Sequence, residues 1–355
     1  MQPGQTGRSS WTVSFREWLK KKGFSLDVLL SAAYAEPESL VVHLVDFGKE
    51  QYEAGYPYNH FAETINAIGA TKPTVRRFLT AAWDLAFSWV RQEPGEHHTA
   101  CPFQILLALL STAIYWGWAS IAGAIALSWG AVCRIGEVLQ AVRRDLVIPA
   151  DVMFSSTVIY LKVQEPKTRF KAARHQMSRL DYEDLVQLVS CAFGHLEADK
   201  KLWPFSGQLM RTRFRQLLAA VGLPTKTQGQ GRPLDLGSLR AGGATHLLMI
   251  TEDSELVRRR GRWLAHRTME IYLQEIGATV MFPSLPVGVK TKVMQLAYAF
   301  PGLLEKMRRF TAAGIPETAW YHLLRSEQMG KMGTMPRAAS AKHADAREND
   351  AQKAE

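Results

Sequence analysis

The chain has 355 residues, 47% hydrophobic and 10% aromatic, which is enough apolar material for more than one core and too much for a disordered polypeptide. Its three cysteines, Cys101, Cys133 and Cys191, are odd in number and far apart; that spacing excludes a disulfide framework and a cysteine-based zinc site, and it fits a reducing intracellular compartment. The net charge of +10 is uneven: residues 1–100 carry 10 basic and 11 acidic side chains, residues 201–300 carry 14 and 6, so the basic excess suits a polyanion, of which nucleic acid is the commonest.

The opening stretch "MQPGQTGRSSWTVSFREWLKKKG" has no apolar segment of signal-peptide type, and secretion is not expected. Residues 14–91 read as several helices. "PESLVVHLVDFGKEQYEAG" is one, ended by Gly55. "TKPTVRRFLTAAWDLAFSWVRQ" is another, with Thr71 as its cap, Pro73 in its first turn, and Val75, Phe78, Leu79, Ala82, Trp83 and Ala86 on one apolar face. "RQEPGEHHTACP" breaks all periodicity. These signals predict an all-helical first domain over 12–92 and a linker over 93–103. His97 and His98 are adjacent in that linker, a poor spacing for chelation, with no carboxylate or thiol close by in sequence; no metal or other cofactor is expected.

From Cys101 to Cys133 the chain carries no charge, a run long enough to cross a bilayer. Trp116, Trp118 and Trp129 lie inside it, together with Gly117, Ser120 and Gly123. Tryptophan favours the membrane interfaces over the middle of a span, so two buried helices broken near 117–120 explain the same letters without a membrane. "VCRIGEVLQAVRRDLVI" follows, with Ile135, Val138, Leu139 and Val142 at helical spacing. "TVIYLKVQ" and "ARHQMSRL" are strand-like and flank a basic hairpin loop, "EPKTRFKA". Helical patterns return in "YEDLVQLVSCAFGHL", "SGQLMRTRFRQLLAAVGLP", "DLGSLRAGGATHLLMI" and "ELVRRRGRWLAHRTMEIYLQE". A second domain over 104–327 results, mostly α with a small antiparallel β-sheet. The small, polar residues of 328–355 predict a disordered tail.

Within this second domain lie residue types that would serve a phosphodiester: Arg134 with Glu137 one turn on, Lys167 in the hairpin loop, Arg240, Trp263 and Tyr272, at intervals of 33, 73, 23 and 9 residues from arginine to lysine to arginine to tryptophan to tyrosine. Each has an ordinary explanation: an i,i+3 surface pair, a solvated basic loop, aromatic residues filling a core. Their order and spacing, however, resemble the tyrosine recombinase (phage integrase) family. "LSWGAVCRIGEVL" is similar to that family's first arginine box, "SLRAGGATHLL" to its second, and "GRWLAHRTMEIYL" to its final box, with Trp263 where other members have His or Trp.

The resemblance implies a two-domain architecture, with an all-α core-binding domain ahead of the catalytic domain. It also implies cleavage and rejoining of double-stranded DNA through a covalent 3′-phosphotyrosine, in site-specific recombination or integration of a mobile element. Tyr272 is then the nucleophile. Arg134 and Arg240, planar and permanently charged, clamp the pentacoordinate transition state. Lys167 protonates the 5′-oxygen; its rival Lys171 and the intervening Arg169 lie in the same loop, and Lys167 is preferred because "KT" resembles family members. Trp263 offers one indole N–H, and Glu137 orients Arg134. Arg169, Lys171, Arg258, Arg259, Arg260 and Arg262 are expected to meet DNA phosphates. A tetramer on DNA is implied, with residues 288–326 contacting a neighbouring protomer, located in the nucleus of a eukaryote or the cytoplasm of a bacterium.

The sequence departs from the family at Gly237, three residues before Arg240, where members usually carry His or Lys. Ser238 and His175 are the candidates to cover that role. The departure supports a rival reading, a catalytically decayed or domesticated DNA-binding protein of the same fold. A type IB topoisomerase, acting as a monomer, and a membrane protein using 105–132 are further alternatives.

Overall fold

The structure, a computed structural model, describes residues 5–93, 98–152, 157–166, 176–226 and 232–333, with side chains over 13–326 of that range. The chain divides into two compact units, 1–96 and 97–355.

The first unit is helical: α1 (Gln5–Lys21), α2 (Leu26–Ala32), α3 (Pro37–Glu53), α4 (Tyr58–Thr71) and α5 (Thr80–Gln92). It begins upstream of the expected boundary at 12. Phe15, Leu19, Leu44, Phe61, Ile65 and Trp89 form its core. One expected helix is two. Thr71 ends α4 and caps nothing; its hydroxyl donates to the Ala67 carbonyl at 2.9 Å. Pro73 disfavours helical backbone at the residue before it. Lys72 accordingly takes φ −129°, ψ 87°, and Pro73–Phe78 forms a 3₁₀ turn before α5 starts.

In the second unit the uncharged run folds as two short helices, α6 (Phe103–Tyr115) and α7 (Ala119–Gly130). Gly117 turns the chain between them with φ +69°, and a Cβ there would lie 2.0 Å from the Glu317 carbonyl oxygen. The run lacks charge because it is the core: Leu109, Ile121, Ile125, Leu127 and Trp129 are fully buried. Among the described residues no helix is long and apolar enough to cross a membrane.

Next comes α8 (Ile135–Gln140), shorter than its periodicity predicts. Val142 leaves the helix to bridge Lys201, and Arg143–Asp145 forms a 3₁₀ turn held by Asp145, which accepts from the Val142 N–H at 3.1 Å. The sheet is small and antiparallel, in the order β1 (Leu146–Val147), β2 (Ile159–Val163), β3 (Gln176–Leu180). Register pairs Leu146 with Leu161, Ile159 with Leu180, and Val163 with Gln176. Alternation turns Ile159, Leu161 and Val163 inward on β2, and Gln176, Ser178 and Leu180 inward on β3.

The remaining helices are α9 (Glu183–Phe193), α10 (Gly207–Val221), α11 (Leu236–Thr251), α12 (Ser254–Gly261), α13 (His266–Glu270), α14 (Glu275–Ser284), α15 (Val287–Ala312) and α16 (Glu317–Gly333). Two expectations change here. The stretch 255–275 is not a continuous helical pattern: Arg262 adopts φ +57° and ends α12, Trp263 lies between helices, and Tyr272 sits in the turn after α13. The C-terminal helices also build their own unit's core, burying Val293, Phe300, Leu304, Met307 and Trp320; these apolar residues are consumed within the chain. α16 runs to Gly333, past the expected start of the tail at 328, through residues such as Gln328, Met329 and Lys331 that are good helix formers. Residues 334–355 lie outside those described.

Candidate active site

The site grows from the N-termini of α8 and α11. Arg134 stands just before α8, its backbone extended. Glu137, in the first turn, reaches back to accept from the Arg134 backbone N–H at 3.0 Å and from Arg134 Nη1 at 3.0 Å. Its other partner arrives from a distant segment: Arg262 Nη2 donates to Glu137 Oε2 at 2.5 Å, and Arg262 Nη1 reaches Gln176 Oε1 at 3.4 Å. The first residue of β3 is thereby tied to this cluster. Burial alone would raise the Glu137 pKa, but the Arg262 charge and the hydrogen bonds from Arg262 and Arg134 outweigh it and hold the carboxyl below its ordinary value.

Arg240 projects from α11 and is 3% exposed. α11 can start where it does because Asp235 caps it, accepting from the N–H groups of Gly237 at 2.8 Å and Ser238 at 3.2 Å. Two glycines then set its depth. A Cβ on Gly242 would lie 2.2 Å from the Cys101 carbonyl oxygen, and one on Gly243 1.9 Å from that of Trp129. The smooth face of α11 admits neighbouring backbone of the same unit.

The Arg240 guanidinium donates through Nη2 to the Gly261 carbonyl. Its carbon lies 4.6 Å from the Trp263 ring centre and 5.3 Å from that of Tyr272, and those two rings are 5.0 Å apart and tilted by 42°. Trp263 is brought there by the left-handed turn at Arg262, which folds the indole back onto Gly261; a Cβ on Gly261 would lie 1.6 Å from the ring. Tyr272 is half-buried, its backbone held by Thr245, whose hydroxyl donates to the Tyr272 carbonyl at 3.1 Å and accepts from the Gln274 N–H at 3.2 Å.

The electrostatics favour an anion. Burial, followed by the charges of Arg134 and Arg262, lowers the pKa of Arg240, while Tyr272 and Glu137 act the other way. Two guanidiniums, Arg134 and Arg262, thus pair with Glu137, and the third, Arg240, feels the charge of all three. Arg240 Nε and Nη1, Arg262 Nε and Trp263 Nε1 are buried with no hydrogen-bond partner among the described residues. Buried donors of this kind are costly unless an acceptor meets them in the working state. The thiols nearby do not compete as nucleophiles: burial pushes Cys101 and Cys133 up to about 12.

Of the residues singled out from the sequence, Arg134, Glu137, Arg240, Trp263 and Tyr272 therefore meet. Lys167, Arg169, Lys171 and His175 lie outside the described residues. The basic run is largely occupied within the chain. Arg258 pairs with Glu255 at 2.6 Å and donates to the Trp263 carbonyl at 2.9 Å. Arg260 pairs with Asp181, and Arg262 belongs to the site itself. Arg259 alone of the four is exposed. The role of Arg262 carries no mark in the sequence, because it depends on the turn that Gly261 and Trp263 make together. Ser238, a candidate for the missing acid–base group, is fully buried, and its hydroxyl accepts from the Asp235 backbone N–H at 3.0 Å as part of the α11 cap. Among the described residues no group of three or more His, Cys, Asp or Glu side chains gathers as a metal site requires.

No protein-family model and no curated protein matches the chain. Solved structures do resemble it, two recombinases among them. One is the crystal structure of XerA recombinase, at 14% identity and a TM-score of 0.38, covering 72% of this chain and 96% of that one. The other is XerH site-specific recombinase bound to its difH substrate in a pre-cleavage complex, at 14% identity and a TM-score of 0.40, covering 66% and 73%. Likenesses of this size assign no residue.

Proposed function

We propose that this chain is a tyrosine recombinase that cleaves and rejoins double-stranded DNA, with Tyr272 as nucleophile. The observation that carries the reading is the convergence of Tyr272 with Arg240 and Trp263, where Arg240 Nε and Nη1 and Trp263 Nε1 are buried with no acceptor among the described residues. A phosphodiester supplies non-bridging oxygens that match such donors, and planar guanidiniums fit them best.

In the proposed step the Tyr272 phenolic oxygen attacks phosphorus, and the bond from phosphorus to the 5′-oxygen breaks. The leaving oxygen takes the bonding pair and a proton, for which Lys167 is the proposed donor. Arg134 and Arg240 stabilise the charge on the two non-bridging oxygens, where each preorganised donor contributes about 10²–10³ in rate. Arg262 and Glu137 fix Arg134 in place. Rejoining is the reverse reaction, with a 5′-hydroxyl attacking the 3′-phosphotyrosine. Site-specific recombination or integration of a mobile element, on a tetramer, is the proposed context.

The test is a suicide duplex, nicked so that the released strand diffuses away, drawn as a pool from the flanks of the gene. An SDS-resistant protein–DNA adduct that disappears in Tyr272→Phe supports the reading; cleavage by that variant refutes Tyr272 as nucleophile. Gly237 favours a second reading, a DNA-binding protein that has lost its chemistry. Salt-sensitive DNA binding with no adduct from the unmodified chain would select it.

A further inference from the structure

The space that a side chain at 237 would fill is occupied. A Cβ placed on Gly237 would lie 2.6 Å from both Cε1 and Nδ1 of His98. Residues 237 and 240 are one turn apart on α11 and share a face, so the His98 imidazole comes from a remote segment to stand on the Arg240 face of that helix. It is held there from two sides. Nδ1 lies 2.8 Å from Oδ1 and 2.9 Å from Oδ2 of Asp235. The His98 carbonyl accepts from Gln274 Nε2 at 2.7 Å, and Gln274 Oε1 accepts from the Ala100 N–H at 3.0 Å. Gln274 is two residues from Tyr272, and Thr245 bonds the backbone of both. The His98 segment and the Tyr272 turn are therefore one hydrogen-bonded assembly.

The Asp235 carboxylate has its own reason to stay ionised. Burial would raise its pKa, yet His98, Arg232 and the Gly237 N–H bring it down to about 2. An ionised carboxylate only accepts, so it holds a hydrogen on His98 Nδ1, and in the neutral ring the lone pair is then the one on Nε2. The ring is not sealed in: its side chain is 41% exposed and lines a cleft of about 590 Å³ that runs past Gly136 at the start of α8, the residue two beyond Arg134.

Resting on the proposed strand-cleavage reading, we infer that His98 is the proton acceptor for Tyr272, oriented by Asp235. As the phenolic oxygen bonds to phosphorus, its proton passes to His98 Nε2; in rejoining, the same proton returns as the phosphotyrosine bond breaks. Glycine at 237 is then what admits the ring, and the chain carries this base ahead of α6 in place of one on α11.

The experiment uses the full chain and the nicked duplex pool, measuring single-turnover adduct formation against pH together with DNA affinity. The imidazole contacts Asp235, which also holds Arg232, and the charged groups that share its cleft are Arg211 and Arg215 from α10; each is retained in the variants. H98Q and H98A are expected to slow adduct formation by roughly 10²–10⁴ with DNA affinity unchanged and the cooperative melting transition retained. The decline of the wild-type rate toward acid pH should vanish in both. In H98A/G237H the freed volume takes the new imidazole, and part of the rate and the acid decline should return. Variants as fast as the parent overturn the assignment alone. So do slow variants that keep the acid decline, since His98 would then only brace α11. No adduct from the parent chain at any pH overturns both this assignment and the reading beneath it.

Discussion

Glu137 and Arg262 form an ion pair of 2.5 Å with side chains 7% and 9% exposed, joining the start of α8 to the turn after α12. Removing the carboxylate leaves Arg262 buried without its counter-charge and frees Arg134 at the same time. Breaking one side of such a pair costs about 3–5 kcal/mol, and for a unit of this size each kcal/mol is worth roughly 2–4 °C in Tm. Glu137→Ala is therefore expected to lower Tm by a margin plain in a calorimetric scan. The pH dependence has a fixed sign. The folded pKa of Glu137 lies below its ordinary value, so its contribution is complete above about pH 4.3 and is lost as pH falls through the folded value. The Tm difference between parent and variant should be constant near neutrality and shrink in acid; a difference that grew in acid would contradict the pairing.

Trp263 separates stability from activity. Its indole N–H is buried with no partner among the described residues, a cost of about 1–3 kcal/mol carried by the DNA-free protein. Trp263→Phe removes that cost and some packing together, so Tm should move little. The same change deletes a donor that the proposed mechanism assigns to a phosphate oxygen, and adduct formation should fall by roughly 10². Arg240→Lys should behave differently. A lysine cannot reproduce the contact to the Gly261 carbonyl while standing over two rings, so both Tm and rate should drop. Equal effects of the two variants on Tm would count against this division.

The glycines of α11 and α12 make a third pair of expectations. In Gly243→Ala the added methyl would lie 1.9 Å from a main-chain oxygen of Trp129. Backbone cannot step aside cheaply, so α11 must move, and solubility or Tm should suffer severely. In Gly261→Ala the clash is with the Trp263 ring, a side chain at the site's edge. That variant should keep its far-ultraviolet circular dichroism but lose the near-ultraviolet signal of Trp263 and the adduct with it.

Much of this was legible in the sequence because it is local. The uncharged run broken near 117–120 marks α6 and α7, and strand-like alternation marks β2 and β3. The resemblance of their boxes, order and spacing to the tyrosine recombinase family brings Arg134, Arg240, Trp263 and Tyr272 under suspicion. What escaped is set by tertiary contact or by competing local chemistry. His98 and Asp235 are 137 residues apart, and no pattern announces their pairing. Arg262 reads as one more surface arginine until a left-handed turn buries it. Thr71 before Pro73 has the letters of a helix start, yet the extended Lys72 between them makes it a helix end. The apolar stripe of α15 shows that one face is covered without showing whose core covers it.

If 288–326 served only to contact a neighbour, a chain ending at 283 would fold and fail to assemble. The structure places Val293, Phe300, Leu304, Met307 and Trp320 in the core of their own unit, and the Ser111 hydroxyl on α6 donates to the Leu296 carbonyl at 2.8 Å. Each large apolar side chain so buried stabilises by about 1.5–3 kcal/mol, whereas a whole domain holds only about 5–15 kcal/mol. Truncation after 283 should therefore unfold the second unit, seen as loss of its melting transition or as insoluble protein. The outward face of α15 isolates the other possibility. Tyr298 is 91% exposed, so Tyr298→Glu adds a charge without entering the core. It should leave Tm unchanged, and a change in the size of the DNA-bound assembly in that variant would assign intermolecular contact to this face alone. A truncated chain that kept the full melting transition would mean that the helices after 283 belong to a neighbour after all.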